Sequence, residues 1–415
     1  MKGKNLLVVV LVFLGLFVRL YNFKERMTFG PEQARSLVVA GRYITEKPSL
    51  LGQEYFRVTS EGHKLFSGAV FNYSLVPLQL LFNFDPLPIT VFFAFLNVFT
   101  GLVLFWVARK IFGYSFAVLS LGLFLFNDYM IYHSTFIWNY NYLPLVGILC
   151  FYLLYQMKKN SKRLLFVFFL GILSGLGVSL QYLFALLGLG VFLYVLWFSK
   201  EKIKASAIFV FGAILGNLPM VIFDLRHNFY HLVTAWQYFL GAFKGGSGVQ
   251  LAYYHFLPLW PIFLILLSFV VVKLLNKSKP LGILAVVAYL YLSLTSPKVS
   301  FGKAVGMPDG LTYGDVVEAS ESIAKDVRGD FNVASLLDFD TRGYILRYPV
   351  EFMYWKKPKG DEDYSGTPFL YVLAERSYNF EDPGVWELRV NLPYKSEILK
   401  EIDQRYAVFR LTHED

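Results

Sequence analysis

The sequence predicts a polytopic α-helical membrane protein of about nine transmembrane helices, with interfacial helices in a long first outer loop and a small C-terminal α/β soluble domain. Three observations carry this prediction. The 415 residues are 56% hydrophobic, 19% aromatic and only 17% charged, too apolar for a soluble chain of this length. Apolar stretches approaching the roughly 20 residues that a bilayer requires recur as far as Leu294. The Lys and Arg residues between them gather on alternate loops, as cytoplasmic loops demand.

The stretches run Leu6–Tyr21, Pro88–Val107, Tyr114–Ile131, Tyr142–Gln156, Leu164–Leu180, Tyr182–Phe198, Ala207–Phe223, Phe256–Val272 and Leu281–Leu294. The basic side holds Lys2, Lys4, Arg109, Lys110, Lys158, Lys159, Lys162, Arg163, Lys200, Lys202, Lys204, Lys273, Lys277 and Lys279 against one acid, Glu201. That face is +13 while the whole chain is +9, so the remainder sums to −4. The basic excess therefore reports topology and does not indicate a nucleic-acid partner. With the N-terminus cytoplasmic, nine crossings place residues 295–415 outside, together with loops 22–87, 132–141 and 224–255. The first stretch reads as a span and not as a cleaved signal peptide, because it is long and shows no small-x-small cleavage site. A single cysteine, Cys150, excludes an intramolecular disulfide.

Two domains follow: residues 1–294 as the membrane domain and 295–415 as the outer domain. In the latter, "YGDVVEASESIAKDV" has helical spacing, "FNVASLLDF" and "TPFLYVLAE" have strand length, "SEILKEIDQ" reads as a helix and "YAVFRLT" as a closing strand. It shows no phosphate loop, metal-ligand spacing or nucleophile motif. In the first outer loop, "PEQARSLVVAGRYITEK" sets Leu37, Val38, Gly41 and Ile44 on one face and polar residues elsewhere, the pattern of a helix in the interface plane. "FSGAVFNYSLVPLQLLFNF", broken by Gly68, Asn72 and Pro77, reads as a second interfacial or re-entrant helix.

Charges at a membrane surface are costly and tend to be functional. They gather in three places: Glu32, Arg35, Arg42, Arg57, His63 and Lys64; then Asp128 and His133; then Asp224, Arg226 and His227. A carboxylate and several cations converging there suit a transferase acting on a lipid-linked anion.

The ordered segments "FGPEQARSLVVAGRYI", "PSLLG", "FSGAVFNYSLVPLQLLF", "STFIWNYNYLPL" and "IFDLRHNFY" resemble the bacterial GT-C glycosyltransferases related to protein O-mannosyltransferases and lipid A aminoarabinose transferases (glycosyltransferase family 39-like). The resemblance covers roughly residues 6–255. It implies an inverting transferase that moves a sugar from a polyprenyl-phosphate donor to an acceptor hydroxyl on a lipid, polysaccharide or protein, at the outer leaflet of a bacterial plasma membrane. The family's first-loop acid falls on Glu32, in an Asp-Gln-x-Arg pattern met here as Glu32, Gln33, Ala34 and Arg35; the family often carries Arg where this chain has Thr135. The sequence itself names no cofactor, and relatives differ in their use of a divalent metal.

The chemistry calls for such residues. A carboxylate within about 3 Å of the acceptor can orient and deprotonate its hydroxyl, and the resemblance makes Glu32 the candidate for that catalytic role; one residue after Pro31, at a helix start, it is expected to stay ionised. The departing phosphate needs cations, for which Arg35, Arg42, Arg226 and His227 are the candidates. Gln33, His63, Asp128, His133, Asn139 and Asp224 are candidates for acceptor or sugar contacts. Two other classes compete. A polyprenyl-linked sugar transporter or flippase predicts inverted halves and mid-membrane charges, and no half-to-half symmetry is visible. A membrane-anchored scaffold predicts that only the outer domain matters.

Overall fold

The computed structural model describes residues 2–58, 62–159, 163–243, 252–337 and 339–414; Lys162 and the side chain of Arg57 lie outside the described ones. Helix α1 (Lys2–Leu20) and the single turn α2 (Phe23–Arg26) lead into α3 (Pro31–Thr45). Pro31 suits the first helical position, where its missing N–H costs nothing, and the Gly30 N–H is satisfied by Gln33 Oε1 at 3.0 Å. Strands β1 (Leu51–Val58) and β2 (Lys64–Gly68) then form an antiparallel hairpin, and α4 (Val70–Leu81) follows.

The bundle continues through α5 (Pro86–Phe112), α6 (Tyr114–Leu125), α7 (Asp128–His133), α8 (Leu143–Lys159), α9 (Arg163–Leu180), α10 (Phe184–Phe198), α11 (Lys202–Gly216), α12 (Leu218–Arg226), α13 (Tyr230–Phe243), α14 (Trp260–Lys277) and α15 (Lys279–Leu294). Among the described residues, Pro86–Phe112, Arg163–Leu180 and Tyr253–Lys277 are long and apolar enough to cross a membrane unaided. The expected seventh span, Ala207–Phe223, is broken: α11 and α12 meet at 88°. Pro219 lies in the first turn of α12 and restricts the residue before it, so a straight helix cannot pass through Asn217 and Leu218. The expected third span divides as well, because Asn127 Oδ1 accepts from the Met130 N–H at 3.3 Å and starts α7 as a new helix.

Within the bundle, α9 and α11 touch backbone to backbone. A Cβ on Gly171 would lie 2.2 Å from the Phe209 carbonyl oxygen, and one on Gly216 would lie 2.1 Å from that of Ile172. Glycines four apart on both helices, Gly171 with Gly175 and Gly212 with Gly216, make this approach possible. At the end of α1, the fully buried Arg19 is held by neutral acceptors. Its Nε and Nη2 donate to Asn97 Oδ1 at 3.1 and 2.8 Å, and Nη1 donates to the carbonyls of Gly15 and Leu125 at 2.9 and 2.7 Å.

The last part builds α16 (Tyr313–Asp326), β3 (Phe331–Ser335), α17 (Tyr344–Tyr348) running into a π-helical turn at Pro349–Met353, β4 (Phe369–Glu375), α18 (Trp386–Arg389), β5 (Tyr394–Glu401) and β6 (Tyr406–His413). The four strands lie in the order β3-β4-β6-β5, with β3 and β4 parallel and the other pairs antiparallel. "SEILKEIDQ", expected as a helix, is the edge strand β5 and the turn after it; cross-strand pairing with β6, including Glu397 with Arg410 at 2.5 Å, overrides its helical spacing.

One core continues across the compositional boundary near residue 295. Tyr348 Oη donates to the Phe84 carbonyl at 2.8 Å and Tyr313 Oη to Asp85 Oδ1 at 2.9 Å. Gly41 of α3 lies so close to Phe352 of the π-helical turn that a Cβ there would meet the ring at 2.6 Å. Helix α3 is therefore enclosed by the hairpin, α4 and α17. Its expected polar face does not lie open at an interface: Gln33, Arg35 and Ser36 are buried with the apolar residues. Ser36 Oγ reaches Gln53 Oε1 at 2.7 Å, and the amides of Asn72 and Gln79 donate to the carbonyls of Ser36 and Leu37.

Candidate active site

The first turn of α3 opens onto a cavity of about 280 Å³. Glu32 and Arg35, three residues apart on one helical face, form part of its wall. The hairpin contributes Gln53, Glu54 and Tyr55, and the segment before α8 contributes Trp138, Asn139 and Tyr140. Gln181 and Tyr182, at the break between α9 and α10, Tyr238 of α13, and Tyr254 and His255 before α14 complete it. Most of these segments are helix ends or connections, where backbone and side chains can turn inward without breaking a helical ladder; Gln53–Tyr55 come from strand β1 and Tyr238 from within α13.

Burial raises the carboxyl group of Glu32 above its ordinary value, and the neighbouring Arg35 only partly offsets this. At the helix start, desolvation and the helix's favourable charge act on Glu32 in opposite directions, and the balance makes its carboxylate more basic than usual. The phenols of Tyr55 and Tyr140 are pushed up, chiefly by burial and in part by the Glu32 charge, so they present O–H donors and acceptors at neutral pH. The Arg35 guanidinium lies 5.4 Å from the centroid of the Tyr344 ring, which orients it from the C-terminal part of the chain.

Of the residues singled out by sequence, the cavity brings together Glu32, Arg35 and Asn139. The others are placed elsewhere. Gln33 caps Gly30. Arg42 points to Glu351, with Nη2 to Oε2 at 3.4 Å. His63 Nδ1 meets Gln237 Oε1 at 3.2 Å, and its ring sits edge-on to Tyr230. Asp128 accepts from Ser296 Oγ at 2.9 Å. His133 is buried against Asn141 and stacks on Trp138; burial pushes it down to about 4, so it is neutral. Asp224 accepts the N–H groups of His231 and Leu232 at the start of α13. Arg226 is exposed, and His227 is also exposed, folded back onto its own Phe223. Thr135 is a buried turn residue donating to the Tyr132 carbonyl. Sequence reasoning missed the neutral wall, above all Tyr55, Trp138, Gln181, Tyr254 and His255, because uncharged aromatic and amide residues do not stand out in so aromatic a chain. Among the described residues no group of three or more His, Cys, Asp or Glu side chains comes together.

No family model and no curated protein sequence matches the chain, whereas solved structures do. The fold is that of the GT-C glycosyltransferases, built as a polytopic membrane protein. Two of the solved structures to which the chain is similar are crystal structures of ArnT from Cupriavidus metallidurans, a lipid A aminoarabinose transferase. Against ArnT bound to undecaprenyl phosphate the TM-score is 0.63 with 13% identity, over 99% of this chain and 98% of that one. Against ArnT in the apo state the TM-score is 0.59 with 12% identity and the same coverage. The likeness is one of fold, and the chemistry of the site rests on its own geometry.

Proposed function

We propose that this protein is an inverting membrane glycosyltransferase that moves a sugar from a polyprenyl-phosphate donor to an acceptor hydroxyl. The observation that carries this reading is the buried carboxylate–guanidinium turn of α3, facing a cavity large enough for a sugar ring and its acceptor. The Glu32 carboxylate, made more basic by burial, takes the proton from the acceptor hydroxyl as its oxygen attacks the anomeric carbon. The bond from that carbon to the phosphate oxygen breaks on the opposite face, and the electron pair leaves with the phosphate. Arg35 is the one guanidinium among the described residues lining the cavity and stabilises that charge.

The arrangement of helix ends supports an extracytoplasmic site. Asn139 precedes α8, whose far end carries Lys158 and Lys159; Gln181 follows α9, whose far end carries Arg163; Tyr254 precedes α14, whose far end carries Lys273 and Lys277. The 17 residues of α8 separate the two ends by about 25 Å. The basic ends belong in the cytoplasm of a bacterial cell, and the cavity and C-terminal part then lie outside.

The test is sugar transfer by the purified, lipid-reconstituted protein from a labelled polyprenyl-phosphate sugar. Glu32→Gln is expected to lower the rate by about 10²- to 10⁴-fold. A folded Gln variant with full activity removes Glu32 from the chemistry.

A further inference from the structure

One wall of the cavity is an aromatic platform. Trp138, Tyr140 and Tyr254 pack against one another with ring centroids 4.3, 4.9 and 5.2 Å apart, and Tyr254 continues to His255 at 4.4 Å. Because the rings brace one another across two chain segments, the surface they offer is fixed before any ligand arrives. A rigid aromatic face of this kind suits the C–H face of a sugar ring.

Beside it sits an unanswered acceptor. Gln181 is 3% exposed; its Nε2 donates to His255 Nδ1, while its Oε1 is buried without a hydrogen-bond partner. A buried amide oxygen in that state is destabilised until a donor reaches it. Gln181 also lines the cavity, so a ligand hydroxyl can supply that donor.

The charges around this corner are already engaged. Glu54 is met by Lys64 Nζ at 3.4 Å. Glu32 and Arg35 face each other's charge and serve the acceptor and the phosphate. His255 Nδ1 is already met by the Gln181 amide. An ammonium or carboxylate on the sugar would therefore be desolvated here without an opposite charge of its own.

We propose that the transferred glycosyl unit is an uncharged sugar ring, seated on the Trp138–Tyr140–Tyr254 platform and fixed by a hydroxyl donated to Gln181 Oε1. This rests on the transferase reading and adds the class of sugar. The test measures binding and transfer separately, using the full-length reconstituted protein and four probes: polyprenyl phosphate bearing a neutral hexose, an amino sugar or a uronic acid, and polyprenyl phosphate alone. The neutral donor is expected to bind about tenfold tighter than either charged one. Gln181→Leu should weaken the neutral donor several-fold and leave bare polyprenyl phosphate unchanged, which also reports an intact fold. Gln181→Glu should shift the preference toward the amino sugar. Equal or tighter binding of a charged donor, or a Leu variant that binds the neutral donor normally, overturns the inference. Selective binding of the neutral donor with no transfer to any acceptor upholds the sugar class and sinks the transferase reading instead.

Discussion

The pair Arg42–Glu351 separates a phosphate ligand from a structural brace. Sequence placed Arg42 among the phosphate-binding cations, yet its Nη2 lies 3.4 Å from Glu351 Oε2, with side-chain exposures of 30% and 6%. Asp361 and Glu46 add further negative charge around it, so a lipid phosphate arriving there would meet repulsion. At an effective dielectric of 20 the attraction over that distance is about 5 kcal/mol, and in water about 1 kcal/mol. With one partner partly exposed and both desolvation costs counted, a coupling of about 2 kcal/mol is the reasonable expectation. Arg42→Leu alone should destabilise the protein by about 2–3 kcal/mol, because it strands the carboxylate of Glu351. The double variant Arg42→Leu with Glu351→Leu should recover most of that loss, since no buried charge is left behind. Thermal unfolding of the parent, Arg42→Leu, Glu351→Leu and the double variant in detergent measures the cycle, and donor binding is measured alongside. If the double variant is as stable as the parent but binds polyprenyl phosphate more than about tenfold weaker, Arg42 is a phosphate ligand and the bracing argument fails.

Because burial raises the folded-state value of Glu32 above the ordinary 4.5, transfer should fall on the acid side with a midpoint above that value. The stability linked to this group is present below the unfolded value and lost as pH rises through the folded one, so Glu32→Gln should gain on the parent in melting temperature as pH rises above the ordinary 4.5; a gap that shrinks as pH rises contradicts the burial argument. Gly41→Val should cost about 1–3 kcal/mol through collision with Phe352, and Phe352→Ala in the same chain should return part of it in a melting experiment; a Val variant as stable as the parent means that the π-helical turn yields freely. Arg226→Ala and His227→Ala, on exposed side chains outside the cavity, should leave transfer within about twofold of the parent, and a tenfold loss in either would extend the phosphate site to the bend between α12 and α13.

What the sequence disclosed was governed by distance along the chain. Helix α3 was legible because Pro31 marks its start and its apolar residues repeat within one or two turns; α16, β3, β4 and β6 were legible for the same local reasons. Strand β5 was misread because Ile398, Leu399 and Ile402 also satisfy helical spacing, and only its pairing with β6 decides between the two. The hairpin of β1 and β2 escaped because "LGQEYFRV" neither alternates cleanly nor carries a turn dipeptide. The glycine pairs at positions 171 and 175 and at 212 and 216 were present as a close-packing signal, but each half is informative only once its partner helix is known.

The site divides along the same line, with charge as a second filter. Glu32 and Arg35 could be found because an acid and a base three residues apart stand out in an apolar chain, and both line the cavity. Arg42, Asp128 and Asp224 stand out equally, yet Glu351, Ser296 and the N–H groups at the start of α13 engage them. Charge alone marks residues that need a partner; it does not say whether the partner is a ligand or the protein itself. Gln181 shows the converse. It carries no charge and follows an apolar stretch unremarked, but its buried oxygen lacks a partner that the protein could have supplied. The more discriminating sign of a binding site here is therefore an unmet hydrogen bond inside a preformed cavity, and that quantity exists only once the fold has decided which polar groups meet.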